Sequence, residues 1–237
     1  MSVDIKKNIL ILRQRIASAA NRSSRNPSDI RIAAATKTVE PERIKDAIAG
    51  GINIFGENYV QEAKEKISDL RFQISDSRAK WHFIGTLQKN KVKYAVHLFD
   101  MIETVDTALL AVEIDKRAEK KMDILIQVNI GGEKTKSGCC EGDVLNLVKG
   151  VAGLKNIAVK GLMTIPPFFE DPEDVRPYFR RLFEISRDVQ KEGIEDVSMT
   201  ELSMGMSNDF ETAIEEGATI VRIGTAIFGK RENKKKT

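Results

Sequence analysis

Residues Glu201–Gly229 read ELSMGMSNDFETAIEEGATIVRIGTAIFG and hold the pattern of a strand, a helix and a second strand. Apolar runs at Met199–Met204 and Thr219–Gly224 flank a helical stretch at Asn208–Glu216. Glycine and a small hydroxyl residue accompany the end of each run, so that backbone N–H groups can point toward one place. Two such turns side by side predict a phosphate-binding cup, which the loops after strands seven and eight form in many (β/α)8 barrels.

The candidate residues of this cup come from both turns, and Met206 would contribute through its backbone. They are Met206, Ser207, Gly224 and Thr225. Arg222 lies inside the second run and shares a face with Ile220 and Gly224, because side chains alternate along a strand. A buried guanidinium requires a partner, which an ordinary strand–helix–strand unit would supply from within the protein. The coincidence of two turns, hydroxyl groups and a buried arginine favours a bound phosphate.

The same alternation of strand and helix extends along the chain. Eight short apolar runs occur, at Ile32–Thr36, Ile52–Phe55, Trp81–Gly85, Phe99–Glu103, Ile124–Ile130, Ile157–Met163, Met199–Met204 and Thr219–Gly224. Helices are expected to start near Pro41, Asn58, Lys89, Asp106, Glu141, Glu173 and Ser207. Runs that are apolar on both faces suit a parallel sheet covered by helices. Eight strands with helices between them predict a closed (β/α)8 TIM barrel, and an open doubly wound sheet is the alternative.

An additional helix is predicted before the barrel. Residues Ser2–Ala20 have isoleucine and leucine at helical spacing, which indicates an amphipathic helix. Too little chain follows the eighth run for a full helix, so this N-terminal helix is available to cover the gap beside the last strand.

Size and charge fit one soluble domain. The chain has 237 residues, of which 41% are hydrophobic and 31% are charged, enough for a core and a polar surface. The net charge of +3 depends on residues 230–237, which carry five basic side chains and one acidic one. Residues 1–229 are nearly neutral. We therefore expect one domain over 1–229, a basic flexible tail over 230–237 and no nucleic-acid partner.

The sequence also predicts the compartment. No apolar run is long enough to cross a membrane, and the N-terminal residues lack the pattern of a secretory signal. The only cysteines, Cys139 and Cys140, are adjacent, so they neither make a disulfide framework nor complete a zinc site. We expect a cytoplasmic protein without a metal or a membrane partner. Since no exposed apolar stripe stands out, a monomer is favoured.

The segment SMGMSNDFETAIEEGATIVRIGTAIFG closely resembles the pyridoxal phosphate homeostasis proteins, which are single-domain relatives of the alanine racemase barrel. The resemblance runs from about Ile32 to Gly229. It implies an alanine racemase N-terminal domain-like barrel with pyridoxal 5′-phosphate as its cofactor. It further implies a role in intracellular homeostasis of this cofactor, without firm catalytic activity.

Lys37 is the candidate for covalent attachment of the cofactor. It follows the first run on the face of Ala33 and Ala35, which leave room for a flat ring. Partial dehydration near Arg222 would favour a neutral amine, which can attack an aldehyde and form a Schiff base. A strand-end lysine that only reaches water is the alternative. In the family, the lysine of the matching segment carries pyridoxal phosphate, and the resemblance therefore assigns that role to Lys37.

Three further residues have two interpretations each. Asn58, with Gln61 three positions later, has the pattern of a helix capping box, whereas the resemblance places this segment at the cofactor's edge. Ser137 lies in a lysine–serine–glycine turn similar to one at the family's rim, and is either a cofactor contact or a turn residue. His82 is expected to be a buried, hydrogen-bonded neutral histidine, in preference to an acid–base catalyst.

Arg222 is the expected partner of the pyridine nitrogen. An arginine cannot accept the pyridinium proton, so the ring is a poorer electron sink than it is beside a carboxylate. This arrangement suits storage or racemisation better than transamination.

The choice between carrier and enzyme depends on a second base. Racemisation needs one base on each face of the α-carbon, and in alanine racemases the second is a tyrosine from another domain. The tyrosines of this chain occupy no position that we can match to that base; they are Tyr59, Tyr94 and Tyr178. We expect a carrier that protects pyridoxal phosphate and passes it to apoenzymes. A weak amino-acid racemase and a barrel for another phosphorylated metabolite are the alternatives.

Overall fold

The computed structural model describes residues 3–73, 79–133 and 135–230 and contains a closed barrel of eight parallel strands. The strands are β1 (Arg31–Ala35), β2 (Ile54–Glu57), β3 (Lys80–Phe83), β4 (Met101–Val105), β5 (Met122–Gln127), β6 (Ile157–Met163), β7 (Val197–Ser203) and β8 (Ile220–Ile223). Because β1 pairs with both β2 and β8, the sheet has no free edge. The predicted barrel is confirmed, and the open sheet is excluded.

Helices follow the strands on the outside of the barrel. They are α1 (Ile5–Arg22), α2 (Pro41–Ala49), α3 (Val60–Gln73), α4 (Val92–Leu98), α5 (Ala108–Arg117), α6 (Val144–Ala152), α7 (Arg176–Lys191), α8 (Phe210–Glu215) and α9 (Thr225–Phe228). Short 3₁₀ turns at Lys89–Lys91 and Glu141–Asp143 precede α4 and α6. Within the described ranges, no helix is both long and apolar enough to cross a bilayer. The basic tail beyond Lys230 lies outside the described residues.

The N-terminal helix α1 covers the side of the barrel next to β8, where only the four-residue helix α9 follows the last strand. Its start is fixed by Asp4, whose side chain accepts a hydrogen bond from the N–H of Lys7. Further along, the Asn8 side chain donates to the carbonyl of Ile227 at 2.9 Å. The helix packs against α8 and α9. The prediction that it covers the gap is confirmed.

The predicted start of the fourth strand is wrong by two residues. Phe99 ends α4 instead of opening β4, and its N–H donates to the carbonyl of Ala95 at 3.0 Å. The Asp100 side chain then accepts a hydrogen bond from the N–H of Trp81 at 2.8 Å. This bond holds Asp100 next to β3, just before β4 begins. Phe99 therefore belongs to the end of the helix, although its hydropathy alone predicts that it lies in the strand.

The barrel interior has an apolar floor below a polar layer. The floor is one buried residue from each of six strands: Ala33, Ile54, Met101, Leu125, Met163 and Ile220. Two positions later on β4, β5 and β8 come Glu103, Gln127 and Arg222, all buried. Because side chains alternate along a strand, these polar groups lie on the inner face, nearer the carboxyl ends. The floor thus supports a polar layer directly below the barrel mouth.

Candidate functional site

Arg222 lies at the centre of the polar layer and is only 4% exposed. Its Nη1 donates to Oγ of Ser203 at 2.8 Å, and its Nη2 donates to the carbonyl oxygen of Thr164 at 2.7 Å. Burial lowers the pKa of Arg222, while the charges of Glu103 and Asp209 oppose that shift. The guanidinium is therefore held by the ends of β6 and β7 through neutral partners, and its direct contacts are not carboxylates.

Glu103 is fully buried on the opposite wall and carries one hydrogen bond on each oxygen. Nδ1 of His82 lies 2.6 Å from Oε1 of Glu103, and the Ser203 hydroxyl donates to Oε2 at 2.5 Å. Burial alone would raise the pKa of Glu103. The hydrogen bonds from His82 and Ser203, together with the charge of Arg222, hold the pKa below its ordinary value. His82 is buried and hydrogen-bonded as expected; its neutral form stays a prediction.

Lys37 follows β1 at the same end of the barrel as the turn after β8. The strand register pairs Ala33 with Arg222. Two residues further along each strand, a Cβ built on Gly224 would lie 3.6 Å from the Cβ of Ala35. The half-buried Lys37 thus begins beside the backbone of the last turn, as the cup hypothesis requires.

The residue before Lys37 is anchored from β2 and α3. Thr36 is fully buried, and its hydroxyl donates to Oε1 of Glu57 at 2.7 Å. Nζ of Lys66 donates to the carbonyl of Thr36 and lies 3.0 Å from Oε1 of Glu57. Burial raises the pKa of Glu57, against the effects of Lys66 and Thr36. Sequence reasoning missed this cluster, although a glutamate on the outer face of β2 and a lysine on the facing side of α3 were visible signals.

The residue after Lys37 is held by the same helix. Thr38 has φ +61°, in the left-handed region that non-glycine residues rarely adopt. Its N–H donates to Oε1 of Glu62 at 2.5 Å, and Glu62 in turn lies 2.6 Å from Nζ of Lys66. Hydrogen bonds on both sides therefore fix the backbone from which Lys37 projects.

The turns after β7 and β8 contact each other, as predicted. The N–H of Ala226 donates to Oγ of Ser207 at 3.3 Å, and the N–H of Arg222 donates to the carbonyl of Gly205 at 2.9 Å. Gly205 has φ +89°, and a Cβ there would lie 2.5 Å from the Cβ of Ala213. Only glycine fits this close turn. The ligand of the paired turns stays a prediction, as do the binding roles of Gly224 and Thr225.

One proposed donor of the cup already has an acceptor. The N–H of Met206 donates to Oδ1 of Asp209 at 2.6 Å. Burial raises the pKa of Asp209, while this hydrogen bond and the charge of Arg222 oppose the shift. A phosphate bound through the Met206 amide would therefore compete with the Asp209 carboxyl, which sequence reasoning did not anticipate.

Asn58 and Ser137 lie apart from the cup, at a cavity of about 200 Å³ between the ends of β2 and β5. Oδ1 of Asn58 is buried and has no hydrogen-bond partner in the described part of the chain. Because α3 begins at Val60, the capping-box interpretation is wrong. Oγ of Ser137 lies 3.3 Å from Oγ1 of Thr86. The cavity thus has one unsatisfied acceptor and a hydroxyl pair.

The two cysteines differ in exposure and should differ in reactivity. Cys140 is exposed, whereas burial raises the pKa of Cys139 to about 12. Because the thiolate is the nucleophile, we expect iodoacetamide at pH 8 to modify Cys140 alone in the native protein and both residues in urea. Mass mapping of the alkylated peptides measures this, and equal native labelling of the two would contradict it.

Comparison with known proteins gives a consistent family. The family model for the alanine racemase N-terminal domain matches residues 6–232. The pyridoxal phosphate homeostasis protein of Aquifex aeolicus is 48% identical over 222 residues, covering 92% of this chain and 95% of that protein. Its counterpart in Escherichia coli K12 is 38% identical over 240 residues, covering 98% and 99%.

Solved structures agree with this fold. PipY of Synechococcus elongatus, with pyridoxal phosphate bound, superposes with a TM-score of 0.79 at 32% identity, covering 90% of this chain and all of that one. Alanine racemase of Corynebacterium glutamicum has a TM-score of 0.73 at 17% identity, covering 100% of this chain and 66% of that one, and shows the shared fold alone. The chain belongs to the pyridoxal phosphate homeostasis proteins, single-barrel members of the alanine racemase N-terminal domain family.

Proposed function

We propose that this chain binds pyridoxal 5′-phosphate through a Schiff base on Lys37 and serves as an intracellular carrier and buffer of that cofactor. The main support is the position of Lys37 beside the contacting turns after β7 and β8, with Arg222 in the polar layer below. The cofactor supplies an aldehyde, a phosphate and an aromatic ring nitrogen. A relative at 32% identity carries it in a solved structure.

Each part of the cofactor has suitable residues in the chain. The Lys37 amine would hold the aldehyde, while Ser207, Gly224 and Thr225 would hold the phosphate at the paired turns. The Arg222 guanidinium, already oriented by two hydrogen bonds, would face the ring nitrogen. The small side chains of β1 leave room for a ring above the apolar floor, which supports this fit. Asn58 and Ser137 would contact the edge of the cofactor from the adjoining cavity.

The surroundings of the tyrosines support a carrier over a racemase. Tyr94 stacks with the ammonium of Lys93 at 4.9 Å from its ring centre. The rings of Tyr178 and Phe169 are 5.5 Å apart. Tyr59 lies next to the mouth, but it is 61% exposed. Such an exposed side chain is not fixed by packing over one face of the cofactor ring. Racemisation requires a second base in a fixed position. The surroundings of these three tyrosines do not provide one.

The rim of the mouth supports transfer to other proteins. The exposed apolar or aromatic residues here are Tyr59, Ile165 and Phe168, and Phe168 is the most exposed of the three, at 75%. Ile165 also lines the cavity at Asn58. Such exposed apolar side chains around a ligand site are a typical protein contact surface. We propose that a cytoplasmic monomer delivers the cofactor to apoenzymes through this rim, with no nucleic acid or membrane involved.

The visible spectrum of the purified protein tests the proposed cofactor. We expect pyridoxal phosphate to produce a visible band that borohydride removes, with the reduced adduct found on the Lys37 peptide by mass mapping. A protein that stays colourless after addition of pyridoxal phosphate would overturn the assignment of this cofactor. The alternative, a barrel that binds another phosphorylated metabolite, would then be favoured. If the protein exchanged the α-proton of amino acids in deuterium oxide, and if this exchange required Lys37, the function would be that of a racemase and not that of a carrier.

A further inference from the structure

A continuous line of buried hydrogen bonds crosses the barrel below the mouth, from β3 to β8. It runs from the imidazole of His82 to Glu103, then through the hydroxyl of Ser203 to the guanidinium of Arg222. All four side chains are at most 4% exposed. The four residues come from four different strands, so the line exists only in the closed barrel.

The two hydrogen bonds of Ser203 in this line have a definite direction. A hydroxyl has one proton, and Ser203 donates it to Glu103. Only the lone pairs of Ser203 are then left for Arg222, which donates to them. An acceptor at Glu103 is needed to keep the Ser203 oxygen turned toward the arginine. A neutral residue without an acceptor there would free the hydroxyl to rotate.

The line also balances charge among buried side chains. Among the described residues Arg222 donates to no carboxylate, and the negative charges that act on it are those of Glu103 and of Asp209 after β7. His82 contacts the far side of Glu103, and Lys37 begins at the neighbouring strand end. Removal of the Glu103 charge would leave the guanidinium with one compensating carboxylate instead of two. The electrostatic potential around Arg222 would then become more positive.

We propose that Glu103 is a positioning residue for the cofactor: through Ser203 it aims the Arg222 guanidinium at the ring nitrogen and offsets its positive charge. The inference rests on the proposed function. Arginine has five N–H donors, and the contacts with Ser203 and Thr164 use two of them. Donors are thus left for the ring, while the two fixed contacts set the plane in which they point.

The charge of Glu103 should be measurable in the loaded protein. A protonated lysine adduct is cationic, and a more positive electrostatic potential around Arg222 would disfavour it. In Glu103→Gln the amide oxygen can still accept from Ser203, but the charge is lost. We expect the pH midpoint of the visible band to fall by about one unit, with weaker binding of pyridoxal phosphate. Glu103→Asp keeps the charge and should return the midpoint toward that of the wild type.

The matched control is Glu201→Gln. Glu201 is an interior-facing carboxylate of β7 that binds Arg31 and Thr219 nearer the other end of the barrel. Its replacement should change thermal stability and leave the midpoint where it is. If Glu103→Gln does not fold, Ser203→Ala is titrated instead, and we expect a shift in the same direction because Glu103 then loses a hydrogen bond that stabilises its charged form.

The outcomes separate this inference from the proposed function. An unchanged midpoint in the folded Glu103→Gln protein, or in Ser203→Ala where it replaces that variant, would overturn the charge offset by Glu103 and with it the proposal, even if stability fell. An equal shift in Glu103→Asp or Glu201→Gln would also overturn it, because the effect would then not follow the charge of Glu103. Failure of the wild-type protein to bind pyridoxal phosphate would instead overturn the proposed function.

Discussion

Replacement of Lys37 by alanine is expected to abolish the visible band of bound pyridoxal phosphate completely. The band requires a covalent bond to an amine, and the amine proposed for that bond is removed. The cup after β7 and β8 and the Arg222 guanidinium are unchanged, so the variant should still bind the cofactor without a covalent bond. Absorbance titration with borohydride trapping measures the first effect, and equilibrium dialysis measures the second.

A distant lysine provides the control for this experiment. Lys149 lies on the exposed face of α6 and pairs with Glu192 at 2.6 Å, so Lys149→Ala should keep the full band. Retention of a trapped adduct in Lys37→Ala would contradict the assignment. Peptide mapping would then identify the amine responsible, such as that of Lys136, which lines the neighbouring cavity.

Replacement of Gly161 by alanine is expected to lower the free energy of unfolding by about 4 kcal/mol. Gly161 lies within β6 and pairs with Glu201 of β7. A Cβ there would lie 1.8 Å from the Glu201 carbonyl oxygen and 2.7 Å from its carbonyl carbon. Since both of these are backbone atoms, the clash is relieved only if the two strands separate. Urea denaturation followed by circular dichroism measures the change.

The matched substitution is Gly150→Ala on α6. Gly150 is exposed in the last turn of the helix, and a Cβ there would meet no atom within 4 Å. We expect this change to stabilise the protein by about 0.5–1 kcal/mol, because alanine favours helix over glycine. Equal stabilities of Gly161→Ala and the wild type would show that β6 and β7 accommodate the methyl group.

The sequence predicted the strands well because of the kind of sheet that they form. Strands covered by helices outside and by a core inside are apolar on both faces, and β6 was predicted with both of its ends correct. Most other boundaries were wrong by one to three residues, as at Phe99, which ends α4, and at the end of β5, predicted at Ile130 and found at Gln127. Closure of the barrel followed from the number of strands, since no single run shows that β1 pairs with β8.

The candidate site was only partly visible in the sequence, for a physical reason. Lys37 and Arg222 stand out locally, because each is a charged residue in or directly after an apolar run. Glu103 has the same signal at the end of its run, but its meaning comes from Ser203, which is 100 positions away. Asn58 showed the opposite error, since a local capping pattern was present and the helix began two residues later. Contacts across a barrel have no local signature.

The packing of α1 against α8 and α9 has a consequence for synthesis of the protein on the ribosome. The apolar face of α1, formed by Ile5, Ile9, Leu12 and Ile16, is buried in the finished fold. Its covering helices and the partner strand β8 are translated roughly 190 residues after β1. Until they emerge, this face and one edge of the growing sheet stay exposed to water and to other nascent chains. The barrel can therefore close only after β8 and these helices have emerged from the ribosome, and not when the first strands appear.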